Sequence, residues 1–167
     1  LIDNTCTRDL LLYGVYEVLA QASHNSYVKS QWSKGETRET NSSLVLWDEL
    51  PETLKQSNRD QAMHIGTKLK TINCTVGPVR DWEKELLVIS EADIKKLAMI
   101  EHDRWYQERY LDGWRFAEGV KNSERKTSPD MLEWKDLDQV AKEKDMDVAR
   151  NIPSLVAQAG FEVYELS

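Results

Sequence analysis

The sequence predicts a mainly α-helical fold made of two related helical units, with a small two-stranded β ribbon. Three observations lead there. The segment 44–76 maps onto 131–163 at a constant shift of 87, laying Val45 on Leu132, Trp47 on Trp134, Leu50 on Leu137, Ala62 on Ala149, Ile65 on Ile152 and Leu69 on Val156. Chain-breaking positions coincide under the same shift: Gly66 falls on Pro153, both poor in a helix interior, and Asn73 on Gly160, both able to end a helix in the left-handed conformation. Upstream, Leu12, Val15, Tyr16, Leu19, Ala22 and Ser23 recur at helical spacing. Each copy of a repeated unit with an open apolar face buries that face against the other, so the halves are expected to clasp about an approximate two-fold axis. The expected organisation is a first unit with its N-terminal helix over 1–76, a connection over 77–90 and a second unit over 91–167.

Taken in order, residues 9–32 form a long amphipathic helix, ended by the polar stretch 34–43. After an extended Leu44-Val45-Leu46, the run Trp47-Asp48-Glu49-Leu50-Pro51 opens a short helical turn, since proline is tolerated at a first helical position. Ser57 with Asp60 resembles a capping box and predicts a helix from there to Ile72, with Met63, Ile65, Leu69 and Ile72 as its buried stripe. Ser90 with Asp93 starts the next helix, which runs to Asp112 and stops at Gly113. The second unit repeats the plan with a turn at Leu132-Glu133-Trp134, a short helix over 139–144 and a helix over 147–159 bent at Pro153. Each unit ends in an alternating run, Cys74-Thr75-Val76 and Phe161-Glu162-Val163-Tyr164, and these are expected to pair as a ribbon that depends on helix packing for its stability. His24 aligns with His102 at a shift of 78, nine short of 87, so the second unit carries nine extra residues, placed in the polar stretch 117–129.

A chain of 167 residues, 40% of them hydrophobic, can bury one sizeable core. Its net charge of −7 is uneven: residues 1–72 hold eight Lys/Arg against nine Asp/Glu, and the remainder 14 against 20. That balance argues against a nucleic-acid partner, which calls for a basic face. Cys6 and Cys74 are the only cysteines, with no zinc-finger spacing, so neither a disulfide framework nor a metal site is expected and the chain reads as cytoplasmic. The glycosylation sequons at Asn41-Ser42-Ser43 and Asn73-Cys74-Thr75 are short enough to arise by chance. No apolar run approaches the roughly 20 residues that span a bilayer, so membrane insertion is not expected. Leu1 is not an initiating methionine, which suggests a piece of a longer protein.

Several blocks, in order and across 15–164, resemble the ryanodine receptor repeat, the Ry or RyR domain. They are Leu44-Val45-Leu46-Trp47-Asp48-Glu49-Leu50-Pro51 with Ser57-Asn58-Arg59 in the first unit, and Glu101-His102-Asp103-Arg104-Trp105 with Gly113-Trp114-Arg115-Phe116 in the second. Departures are Leu46 in place of proline, the absence of a Gly-Trp pair from the first unit, and Glu133 and Lys135 around Trp134. Trp47 and Trp134 are similar to bacterial members, where animal channels often carry tyrosine, and the connection is short. The resemblance implies a tandem pair of helical, non-enzymatic regulatory or ligand-sensing repeats, anchored by Trp47, Trp134, Leu50 and Leu137, within a larger channel- or signalling-related protein.

Glu101, Arg104, Trp105 and Glu108 share one helix face, with His102 and Arg109 beside it. With Trp114 and Arg115 they suggest a pocket where aromatics stack on a planar ligand and arginines meet phosphate or carboxylate. A pocket between the units would add His24, Tyr27 and Arg59. The expected partner is a small anionic or nucleotide-like ligand, besides other domains of the same polypeptide. The alternative is a structural protein-interaction module without a small ligand, in which both tryptophans are core, Glu101 and Arg104 an ion pair, and His102 bonded to a backbone carbonyl. Catalysis has little support: His102 is tied to no Ser or Cys nucleophile, and HExxH, P-loop and GxGxxG motifs are all absent, so no catalytic residue and no cofactor is expected. The run Lys142-Glu143-Lys144-Asp145 reads as a solvated helix face.

Overall fold

The computed structural model describes residues 4–166, with side chains from residue 14 onward. The side chains of Cys6 and Leu12 lie outside that range. Helix α1 (Asn4–Ser33) ends at Lys34 and Gly35, whose φ of 84° is a conformation that glycine adopts without penalty. Leu19, Ala20, Ala22 and Val28 of α1 are buried, and Ser23, Ser26 and Ser30 share one face of the helix. Arg38 pins the following loop, donating from Nε to the Leu44 carbonyl at 3.1 Å and from Nη2 to Glu49 at 2.6 Å.

A 3₁₀ turn at Trp47–Glu49 leads into α2 (Glu52–Met63). This helix starts five residues before the expected Ser57, because Pro51 has no N–H to leave unpaired and its φ of −55° suits helix entry. Ser57 therefore lies inside the helix, where its hydroxyl donates to Glu108 at 3.1 Å. The expected single helix to Ile72 is also broken at His64, and α3 (Ile65–Lys70) follows. The break has a packing reason: α2 lies on α1, whereas α3 must lay Ile65, Lys68 and Leu69 against another helix, α4 (Glu91–Leu111). Asn73, at φ 55°, turns the chain into β1 (Cys74–Pro78).

Helix α4 (Glu91–Leu111) begins at Ser90, whose hydroxyl accepts the Asp93 N–H at 3.2 Å, and Gly113 at φ 90° follows its end. Two short parallel strands, β2 (Arg115–Phe116) and β3 (Thr127–Ser128), frame the nine-residue insertion. After a second 3₁₀ turn at Trp134–Asp136, α5 (Gln139–Arg150) is capped by Asp138, which accepts the Ala141 N–H at 2.7 Å. The expected interruption near 144–147 does not occur. The chain breaks instead at Asn151, the position matching His64, and Pro153 sits in the first turn of α6 (Ile152–Gln158), where its missing N–H costs nothing. Gly160 at φ 79° then turns into β4 (Phe161–Glu165). The tryptophan turn, both helices after it and the strand thus start at Trp134, Gln139, Ile152 and Phe161, each 87 residues after Trp47, Glu52, Ile65 and Cys74.

The fold is mainly α. The expected ribbon is present: β1 and β4 pair antiparallel with Val76 opposite Val163, themselves 87 residues apart. Helix α1 packs on α2 and α6, and α4 packs on α5 and α3, so each short helix crosses to the long helix of the other half. Leu19, Leu69, Leu97, Ile152 and Val156 meet in one shared core. No described helix is long and apolar enough to cross a membrane.

One polar cluster interrupts this core. Lys68 on α3 and Glu101 on α4, 1% and 3% exposed, form an ion pair at 2.6 Å. The Glu101 carboxylate also accepts from Gln61 at 3.1 Å and Arg104 at 2.8 Å, and Ser23 donates to Gln61 at 2.6 Å. Burial opposes charge on Glu101, but Lys68 and Arg104 outweigh it and hold the carboxyl below its ordinary range. Removing one partner strands the other, so Lys68→Met should cost about 3 kcal/mol in urea unfolding. Adding Glu101→Gln should recover part of that loss, and a Lys68→Met variant as stable as the native protein would show that the pair holds nothing together.

Candidate ligand site between the two halves

A cavity of about 680 Å³ opens between α1 and α4, with α2, α5 and α6 completing its walls. Helix periodicity builds each long wall. On α4, Glu101, Arg104, Trp105 and Arg109 face the cavity, and on α1, 78 residues earlier, so do Ser23, Ser26, Tyr27 and Gln31. Helices α5 and α2 contribute Lys144, Asp145 and Val148 and, 87 residues earlier, Ser57, Asn58 and Gln61. Corresponding surfaces thus meet across one cavity, with different chemistry: hydroxyls and amides come from the first half, most of the charge from the second.

A histidine fixes each long helix to its tryptophan turn. His24 Nε2 donates to the Val45 carbonyl and His102 Nε2 to the Leu132 carbonyl, both at 2.8 Å. Their rings lie 5.8 Å from Trp47 and 5.9 Å from Trp134. His102 has a second partner, Asp145 Oδ2 at 3.1 Å from Nδ1, where the first half has Asn58. Burial opposes charge on His102, yet the bonds to Asp145 and the Leu132 carbonyl prevail and raise its pKa. Burial likewise raises the Asp145 carboxyl, so the pair holds one proton between them above its ordinary release.

The cationic side chains of the wall divide into two groups. Arg104 is neutralised by Glu101 at 2.8 Å and Glu108 at 2.7 Å, Lys34 pairs with Asp147 at 3.5 Å, and Arg150 binds Glu91, Glu143 and Asp147. Arg109, Lys121 and Lys144 form the second group. The buried Trp114 indole, donating to Asp112 at 3.1 Å, supports Arg109 at 5.4 Å and the Lys121 ammonium at 5.3 Å. Lys121, an exposed residue of the insertion, also lines the cavity, and burial, Arg109 and Lys144 lower its pKa against the opposing pull of Asp130. Lys144 is bonded to Asp130 at 3.0 Å.

Of the residues singled out in the sequence, His24, Tyr27, Trp105 and Arg109 line the cavity. His102 stands behind Asp145, and Trp114 lies beneath Arg109 and Lys121. Two others lie outside the wall. Arg115 donates to the Tyr110 and Trp114 carbonyls and stacks at 4.3 Å on Tyr110, while Arg59 is held by Glu17 and Glu52 over Trp47. Bonds from these two carboxylates push the Arg59 pKa up. Trp47, Leu50 and Leu137 are buried and Trp134 half-buried, so the repeat anchors are core or near it. Sequence reasoning passed over Lys121, Lys144, Asp145 and Gln61. The run 142–145 is not simply a solvated face, since Lys144 and Asp145 line the cavity. Their match with Ser57 and Asn58 at the 87-residue shift was the available signal.

The family model described as RyR domain matches residues 85–165, from before α4 through the end of β4. No curated protein matches the sequence.

Because the folded state raises the pKa of both His102 and Asp145, it binds protons more tightly than the unfolded chain there. The stability from His102 is fully present below its unfolded pKa, near 6.5, and is lost as pH rises through the folded value; Asp145 changes stability in the same sense. His102→Gln should therefore destabilise the protein by about 1 kcal/mol more at pH 6 than at pH 9 in urea unfolding. An equal loss at both pH values would remove the shared proton from the account.

Proposed function

We propose, from the premise that residues 85–165 belong to the RyR domain family, that this chain is a non-enzymatic, ligand-sensing regulatory module of a larger, channel- or signalling-related cytoplasmic protein. Its ligand is a small anionic or nucleotide-like molecule held in the cavity between the halves. The observation that carries this reading is the cavity itself: corresponding faces of α1 and α4 line it, together with the Trp105 indole and Arg109, whose Nε has no partner. Such a mixture of aromatic surface and a few convergent polar groups is what small-ligand sites present.

A ligand there touches both halves at once, which supplies a physical basis for sensing. Binding adds its free energy to the contacts that join α1 to α4, and any equilibrium between arrangements of the halves shifts accordingly. The structural alternative accounts for the buried Trp114, the Glu101–Arg104 ion pair and the His102 bond to the Leu132 carbonyl, whereas Trp105 and Arg109 line the cavity as the ligand reading requires. A non-catalytic role is supported by His102, whose two ring nitrogens are committed to Leu132 and Asp145.

A thermal-shift screen of nucleotides and other anionic metabolites tests the proposal. A binder present at 100 times its Kd should add about 2.7 kcal/mol of stability, and Trp105→Ala should weaken it by about tenfold or more. A native protein indifferent to the whole screen, or a binder unaffected by Trp105→Ala, would remove this function.

A further inference from the structure

We infer that the cavity takes a phosphorylated small molecule in one fixed orientation, with its phosphate against Arg109, Lys121 and Lys144 and its uncharged hydroxyl- or amide-bearing part against the first-half wall. The inference rests on the proposed ligand-sensing function and specifies its chemistry.

Arg109 is the first ground. Among the described residues it makes no ion pair, and its Nε is buried without an acceptor. A buried guanidinium N–H left unpaired costs free energy that an incoming oxygen would recover. Its position is nevertheless defined, because the guanidinium lies on the Trp114 ring, which is 5% exposed and itself fixed by Asp112.

Charge balance is the second. The other cationic side chains of the wall, Lys34, Arg104 and Arg150, have carboxylate partners. At the Trp114 end, Lys144 is bonded to Asp130, while Arg109 and Lys121 make no ion pair among the described residues. This end therefore holds more positive than negative charge, which a phosphate monoester would offset. Mutual repulsion and burial already depress the Lys121 ammonium, and a dianion between these groups would relieve both. A phosphate also offers three oxygens to donors arriving from three directions, where a carboxylate offers two.

Asymmetry is the third and sets the orientation. At the positions of Arg109 and Lys144, the first half carries Gln31 and Ser57, and Lys121 belongs to the insertion, which the first half lacks. The wall opposite is Ser23, Ser26, Ser30 and Asn58, suited to reading hydroxyl and amide groups without charge. The cavity thus has one anionic seat, with Trp105 alongside to cover a flat neutral portion.

Calorimetric titration of the folded chain at pH 8 provides the test, using inorganic phosphate, ribose 5-phosphate, the four ribonucleoside 5′-monophosphates, the parent nucleosides and citrate. A phosphorylated probe should bind at least about tenfold more tightly than its dephosphorylated counterpart. Arg109→Gln and Lys144→Ser, which install the residues of the first half, should each weaken that probe by about tenfold. Lys121→Met, on the exposed insertion, should do likewise. Lys135→Gln, the same loss of charge outside the wall, should change affinity less than about twofold. A phosphorylated probe indifferent to all three variants, a nucleoside bound as tightly as its phosphate, or citrate bound in preference would overturn the inference while leaving a ligand-sensing site intact. Silence from every probe would overturn both.

Discussion

The buried bond between Lys68 and Glu101 is the constraint on which the rest of the arrangement depends. Two charges taken out of water are tolerated only with close geometry and further hydrogen bonds, and here Gln61, Arg104 and, through Gln61, Ser23 supply them. The cluster therefore touches α1, α2, α3 and α4 together and sets how the first half meets the second. Four of its members, Ser23, Gln61, Glu101 and Arg104, also line the cavity, so the contact that joins the halves forms part of its wall.

The nonpolar packing around that cluster follows a reciprocal plan. Short helices α3 and α6 each cross to the opposite long helix, and the strands after them close the arrangement as a ribbon centred on Val76 and Val163. Neither half completes its own core, since the apolar face of α3 is covered by α4 and that of α6 by α1. The cavity lies between these interlocked halves, lined by α1, α2, α4, α5 and α6.

Corresponding positions of the two halves carry different chemistry on a common frame. The histidine-to-carbonyl bond is retained at the same length in both, which preserves the seating of each tryptophan turn. Around that common frame, Ser26, Gln31 and Ser57 face Arg104, Arg109 and Lys144, and the insertion brings in Lys121. The RyR domain match falls on the half that holds these charges.

Much of the local structure was legible in the amino-acid order because local rules govern it. The ribbon, the Ser90 cap, the left-handed Asn73 and Gly160, and the two tryptophan turns 87 residues apart all follow from short-range sterics, capping and apolar periodicity. Helix boundaries that answer to partners were not legible: α2 begins at Glu52 rather than Ser57 and breaks at His64, because α3 must reach α4. The site divided in the same way. His24, Tyr27, Trp105 and Arg109 could be placed on cavity-facing stripes from helical spacing, but Arg59 and Arg115 were claimed by nearby carboxylates and carbonyls that spacing does not reveal. Sequence by itself determined which residues share a helix face, since that depends on a rise and rotation common to all helices. Which charges are cancelled and which remain free, as with Lys68 and Lys121, only the tertiary structure decided, because electrostatic pairing depends on distance through space between residues far apart in the chain.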